Sequence, residues 1–260
     1  MKPPIFIVGT GRSGTHFVCS TLIAHPEITD LTNGKENRIV FRAVTDSALN
    51  MRQLSPETIF KYKALRLLSF NAHYIDQSHP NLWHVEQLLK VFPNAKFIGI
   101  VRCPFSVTYS MLNHVGVRNH FNNYMNYPSP NQFFGINQVN ANEYHSLSAS
   151  SKCALRWCSH MHRLDTVCRA HPSSFLIVNY EQLCLQPRST LDELRNYIGL
   201  KSEIPVPIVR NDSLYKKYNL SSSERTNVQE TVESYFKSNP IPDQSLVPLR
   251  EYLKDQSNLT

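Results

Sequence analysis

Ile5-Phe-Ile-Val-Gly-Thr-Gly-Arg-Ser-Gly-Thr-His-Phe17 places a glycine-rich, cationic turn between an apolar run and a helical pattern. Ile5 to Val8 is β-branched and aromatic, with the length of a buried strand. From Ser13 onward, Phe17, Val18, Thr21 and Leu22 fall on one helical face. Gly9, Gly11 and Gly14 let the backbone turn tightly and approach a ligand, while the free N–H groups of the helix start and its dipole point into the turn. The stretch therefore predicts a site for phosphate or sulfate. Its spacing from Gly9 to Gly14 is that of a nucleoside-triphosphate loop, but Thr15 stands where the lysine of such a loop belongs, and the cation comes earlier, at Arg12. Glycines at a strand-to-helix junction can be purely structural. Arg12, Ser13 and Thr15 gathered in the same turn favour the anion site.

The rest of the chain repeats this unit. Phe92-Pro-Asn94 turns a helical stretch that begins at Leu82 into the apolar run Lys96-Phe-Ile-Gly-Ile-Val101, which ends on Arg102 before Pro104 opens another helix. Ser55-Pro-Glu-Thr58 reads as an N-cap with proline at the first helical position, followed by a helix to about Asn71. Tyr74-Ile75 is a candidate strand, and Arg38-Ile-Val-Phe-Arg42 reads as a short strand or strand-like edge. Lys152 to Ala170 is helical, Phe175 to Val178 a core strand, and Pro187 to Leu200 a helix closed by Gly199. Strand and helix in alternation predict an α/β fold: a doubly wound parallel sheet in a single domain, with ligands at the carboxyl ends of the strands. Residues 116–150 have no sustained period and are expected to form an acceptor loop or lid, and residues 205–260 a coil followed by a helix near Glu224.

At 260 residues the chain suffices for one domain with a full core. Its formal net charge of +7 suits acidic ligands, but the cations are scattered rather than blocked, so nucleic acid is not indicated. Six cysteines without a Cys-x-x-Cys pair read as reduced core residues. His160 and His162 near Cys158 and Cys168 do not make a metal motif, since positions two apart on a helix do not face each other. The first strand begins within a few residues of Met1, leaving no room for a signal peptide, and no apolar run approaches the roughly 20 residues of a spanning helix. The expected location is cytoplasmic.

Two anion-binding turns on one sheet suit a ligand with two separated phosphates, and here a family resemblance enters. Pro4-Ile-Phe-Ile-Val-Gly-Thr-Gly-Arg-Ser-Gly-Thr15 resembles the 5′-phosphosulfate loop of sulfotransferases that use 3′-phosphoadenosine 5′-phosphosulfate (PAPS), and Val101-Arg102 followed by Ser110 resembles their 3′-phosphate signature. Phe92 to Phe97 and Tyr180 to Pro187 are similar to further landmarks of that family, so the resemblance covers about residues 4–200. It implies that Gly11, Arg12, Ser13, Gly14, Thr15, His16, Arg102, Ser110 and Tyr180 bind PAPS, that the product is adenosine 3′,5′-bisphosphate (PAP), and that no metal is required. Lys35-Glu-Asn-Arg-Ile-Val-Phe-Arg42, with the preceding Gly34, looks most like a segment of protein-tyrosine sulfotransferases. That likeness implies Glu36 as the catalytic base and Arg38 and Arg42 as contacts to an acidic acceptor; in an extended segment Glu36, Arg38 and Arg42 would share a face, and by the chemistry of the transfer Arg12 is expected to supply positive charge to the sulfuryl group. The solvated reading, a charged edge, stands beside it. The acceptor is a hydroxyl: phenol, sugar or peptide tyrosine.

The sequence departs from the family pattern twice. His16 stands where a hydroxyl residue is common, and Asp76-Gln-Ser-His-Pro80 lacks the lysine of the corresponding turn. Two rival readings are a P-loop kinase-like phosphotransferase, which would need a loop lysine and a strand-end acid, and a non-catalytic binder of nucleotides or polyanions, which gives Glu36 no task.

Overall fold

The computed structural model describes residues 1–31, 37–209, 212–242 and 249. In chain order the elements are β1 (Ile5–Gly9), α1 (Thr15–Leu22), β2 (Ile28–Thr29), α2 (Asn37–Leu49), α3 (Pro56–Leu68), β3 (His73–Asp76), α4 (Val85–Val91), β4 (Lys96–Val101), α5 (Pro104–Leu112) and α6 (Val115–Asn122). There follow α7 (Ala149–Ala170), β5 (Phe175–Asn179), α8 (Tyr180–Leu185), α9 (Pro187–Ile198), α10 (Asp212–Tyr215) and α11 (Ser222–Ser238), with short 3-10 turns between several of them.

The five strands form one sheet in the order β2-β3-β1-β4-β5, and every pairing is parallel. Strands β1 and β4 run in register from Ile5 opposite Lys96 to Gly9 opposite Ile100. The chain leaves β1 toward β3 and β2, then crosses to β4 and β5. The strand order thus reverses between β1 and β4, where the carboxyl ends leave a crevice. Both predicted anion turns open there.

Alternation along the strands builds two cores. Phe6, Val8, Phe97 and Val101 point to one face, against Trp157, Met161 and Leu164 of α7, and Val228 and Val232 of α11, which packs on α7, extend the same core. Ile5, Ile7, Ile98 and Ile100 point to the other, against Val18 and Leu22 of α1 and Leu191 and Leu194 of α9. Ser55 caps α3 by accepting from Thr58 N, with Pro56 at the first turn, and Gly199 ends α9 at φ 82°, as their sequences indicate. Ser221 and Glu224 form a capping box on α11. All six cysteines are free thiols.

Arg38 to Arg42, expected as a strand, belongs to helix α2. The five-residue window is too short to reveal the period: continued to Leu49, the pattern places Val40, Val44, Ala48 and Leu49 in the core at helical spacing. Positions 38 and 42 are consequently one helical turn apart, not on an extended edge. The helix expected from Leu82 begins as a 3-10 turn over His79–His84 before α4. Residues 116–150 are less open than a free loop: Phe121, Phe133, Phe134, Ile136 and Tyr144 are all buried in the main core. No helix among the described residues is long and apolar enough to cross a membrane.

Candidate functional site

The turn after β1 has the backbone its glycines predict. Gly9 (φ 148°) lies so close to β4 that a Cβ there would come within 2.9 Å of Ile100 O. Gly14 is the N-cap of α1 at φ 109°, and any side chain at Gly14 would overlap the ring of Tyr180. Between them Arg12 itself takes a positive φ of 76°, a conformation with a steric cost for any residue carrying a Cβ that tends to persist at functional turns. The start of α1 has neither a side-chain cap nor an acid in its first turn. Thr10 Oγ1 and Ser13 Oγ are buried without hydrogen-bond partners. Unmet donors at an uncapped helix start are what a tetrahedral anion satisfies.

At the end of β4, Arg102 is 4% exposed. It is held on several sides: Nη1 donates to Arg12 O (3.2 Å), Nη2 to Ser213 O (2.6 Å), and the guanidinium lies 4.1 Å from the centroid of the Tyr180 ring. Its Nε has no hydrogen-bond partner, with Glu181 Oε1 at 4.0 Å. Trp157 Nε1 donates to Arg102 O at 3.0 Å and fixes the backbone below it. Ser110, two turns along α5, accepts from Arg12 Nε at 3.1 Å. The two turns are thus joined directly, Arg12 reaching Ser110 while Arg102 reaches back to Arg12. Burial, and then the charge of Arg102, lower the pKa of Arg12.

Of the residues singled out in the sequence, Gly11, Arg12, Ser13, Gly14, Thr15, Arg102, Ser110 and Tyr180 come together in this crevice. Tyr180 serves as the floor under Arg102 and the wall against Gly14. His16 is exposed on the first turn of α1, its pKa lowered by partial burial and by Arg12. Glu36 lies outside the described residues, as do Gly34 and Lys35; Arg38 is in α2 with its side chain not described, and Arg42 is exposed on the same helix. The helix that follows Glu36 is anchored beside the loop, since Phe41 packs on His79 with ring centroids 5.7 Å apart.

The turn noted for its missing lysine, Asp76 to Pro80, and Arg156, which the sequence analysis did not single out, complete the crevice. Asp76 ends β3, the neighbour of β1, so a strand-end acid is present after all. It is fully buried and committed to the fold, accepting from Ser78 N (2.6 Å), Asn81 Nδ2 (3.2 Å) and Tyr74 Oη (3.3 Å). Burial raises its pKa to about 6 despite those bonds. The turn that Asp76 shapes delivers His79 to Gly11: His79 Nε2, buried and unpartnered, is 3.0 Å from where a Gly11 Cβ would lie. Arg156 of α7 comes within 3.5 Å of the same point through Nη2. Six consecutive buried residues, Cys153 to Cys158, contain this single charge, and that was the signal available for it. The segment carrying Ser213, which closes over Arg102, has no signal in the local pattern.

Comparison with known proteins agrees with this geometry. The model of the Sulfotransferase family matches residues 3–203. Protein-tyrosine sulfotransferase 1 of Danio rerio is 26% identical over 222 residues, 76% of this chain and 53% of that protein, so the chain spans about half the length of the curated relative. Among solved structures, the sulfotransferase domain from the curacin biosynthetic pathway matches with a TM-score of 0.52 at 16% identity, covering 99% of this chain and 98% of that one. The sulfotransferase domain from the Synechococcus PCC 7002 olefin synthase gives 0.50 at 16%, covering 99% and 96%. At these identities the two structures speak for the shared fold alone.

Proposed function

The chain belongs to the sulfotransferase family, and on that premise we propose that it transfers the sulfuryl group of PAPS to an acceptor hydroxyl by in-line displacement. The observation that carries the reading is the link between the two anion turns, Arg102 bonded to Arg12 and Arg12 to Ser110. It makes one continuous cationic surface, suited to a ligand with phosphates at both ends of a ribose. The unmet Thr10 and Ser13 hydroxyls and the uncapped start of α1 fit the 5′-phosphosulfate end. Arg102 and Ser110 fit the 3′-phosphate, with Tyr180 keeping the guanidinium flat and oriented.

In the reaction the acceptor oxygen bonds to sulfur as the bond from sulfur to the bridging oxygen breaks. The electron pair leaves on the 5′-phosphate of PAP, and the hydroxyl proton passes to a base. Glu36 is that base in this reading, and Arg12 faces the charge that develops, its terminal nitrogens unengaged by any hydrogen bond among the described residues. Arg38 and Arg42, one helical turn apart at the start of α2, would grip an acidic acceptor. A tyrosine phenol, with its pKa of about 10, is the acceptor whose proton such a carboxylate removes most readily, and the relative from Danio rerio points the same way. Positioning and fixed charge supply most of the acceleration in this kind of transfer.

The test is turnover of labelled PAPS with phenolic, sugar and tyrosine-peptide acceptors, with and without EDTA. Label should move to an acceptor at the same rate in both. Nucleotide binding without transfer to any acceptor, or transfer abolished by EDTA, contradicts the proposal.

A further inference from the structure

Arg156 is a charged group that the reading above leaves without a task. It lies in the middle of α7 at 2% exposure, and its Nε and Nη1 are buried with no hydrogen-bond partner. Among the described residues no acid pairs with it. Its guanidinium is instead set among aromatic rings, 4.5 Å from the centroid of Phe133 and 6.0 Å from that of Phe121. Ring faces repay part of the desolvation of a guanidinium but leave its in-plane N–H groups unmet. A buried, unpaired cation is among the least favourable groups a fold can carry, so one that persists calls for an anion.

The position says which anion. Arg156 Nη2 and His79 Nε2 approach the same loop residue, Gly11, from two separate elements, α7 and the turn after β3. The loop donors next to Gly11, Thr10 Oγ1 and Ser13 Oγ, are unmet as well. Arg156 also adjoins the 116–150 segment through Phe121 and Phe133, so it stands between the donor loop and the part of the chain expected to meet the acceptor. Arg12 is tied through Nε to Ser110, which leaves only its terminal nitrogens for the same group.

We propose that Arg156 contacts the sulfuryl oxygens directly and holds them while the group passes from PAPS to the acceptor. The proposal rests on the reading of the chain as PAPS-dependent. The group being moved has three non-bridging oxygens; as its bond to the bridging oxygen breaks and the bond to the acceptor oxygen forms, the in-plane N–H groups of Arg156 face them. Arg156 stays cationic, its pKa brought down by burial only to about 10. His79 is held neutral by burial first and by Arg156 second, so it brings a hydrogen-bonding nitrogen to the same point without a second charge.

Arg156→Gln tests this against a merely structural role. PAP lacks the sulfuryl group, so the variant should bind PAP within about threefold of wild type by calorimetry. The wild-type PAP complex should take up inorganic sulfate at the position the sulfuryl group vacates, and the variant should lose at least tenfold in that affinity. Turnover should fall by about 10² to 10³, the scale for loss of one donor to developing charge. If Arg156→Gln fails to fold, the sulfate titration is read on Arg156→Lys, whose single ammonium lacks the planar fork. A tenfold weaker sulfate affinity with PAP affinity intact then supports the proposal, and an unchanged one overturns it. Turnover within threefold of wild type in a folded Arg156→Gln overturns the role of Arg156 alone. A wild-type protein that binds no PAP overturns the co-substrate reading beneath it.

Discussion

Gly14→Ala is a one-methyl perturbation whose consequence can be worked from the structure. Gly14 sits at φ 109°, and an added Cβ would overlap the Tyr180 ring, the ring that supports Arg102 at 4.1 Å. The backbone conformation alone costs an alanine about 1–2 kcal/mol. Moving Tyr180 away sacrifices its contact with a desolvated guanidinium, about 2 kcal/mol. The sum, about 3–4 kcal/mol, corresponds to a melting temperature lower by roughly 10 °C for a chain of this size. Thermal unfolding followed by circular dichroism measures it, with PAP affinity by calorimetry as the companion reading, because a tilted Tyr180 disorients Arg102. The overlap is shared between two residues. Destabilisation by Gly14→Ala and Tyr180→Ala should therefore be less than additive, by about 1 kcal/mol or more. A Gly14→Ala protein that melts within about 2 °C of wild type, with normal PAP affinity, refutes the claim that this glycine is required by the ring behind it.

Two other perturbations address the base and the buried acid. Glu36→Gln keeps the shape of the side chain but cannot accept a proton, so PAP affinity should be retained while acceptor sulfation falls by roughly 10² to 10⁴, and the rise of rate with pH that belongs to Glu36 should vanish; a variant with most of its activity removes Glu36 from the base role. Asp76 has a folded-state pKa raised from 3.8 to about 6, so the folded protein holds a proton that the unfolded chain releases, and stability falls as pH rises from about 4 to 6. That penalty, about 3 kcal/mol at most, should be absent in Asp76→Asn, whose urea-unfolding free energy should be flatter than wild type across that window. Parallel curves for the two proteins contradict it.

Legibility of the fold followed the length of each pattern. β1 and β4 are continuous apolar runs buried on both faces, β5 is an apolar edge run partly buried at Leu176 and Ile177, and α7 and α9 carry enough turns to display their period; all were readable. Arg38 to Arg42 misled because Ile39, Val40 and Phe41 look strand-like over five residues, while the decision lay in Val44 and Ala48 beyond them. β2 is two residues long, too short to leave any pattern. At the site, the glycine loop and the Arg102 to Ser110 spacing were visible because backbone geometry and phosphate recognition restrict the residue types in a local window. The roles of Asp76 and Arg156 were not, since both depend on burial, and Arg156 also on Phe133 and Gly11, distant from it in the chain; the turn carrying His79 was noticed for its missing lysine, but its approach to Gly11 was not legible. A charge within the buried stretch Cys153 to Cys158 was the one trace Arg156 left in the sequence.

The central claim is that the two linked turns grip one nucleotide by phosphates at both its 3′ and 5′ positions. Calorimetric titration with PAP and with AMP, which lacks the 3′-phosphate, tests it most directly. PAP should bind at least tenfold more tightly, and Arg102→Ala should remove most of that difference, about 1.5–3 kcal/mol, while leaving AMP affinity nearly unchanged. Equal affinity of the wild-type protein for PAP and AMP would contradict the account.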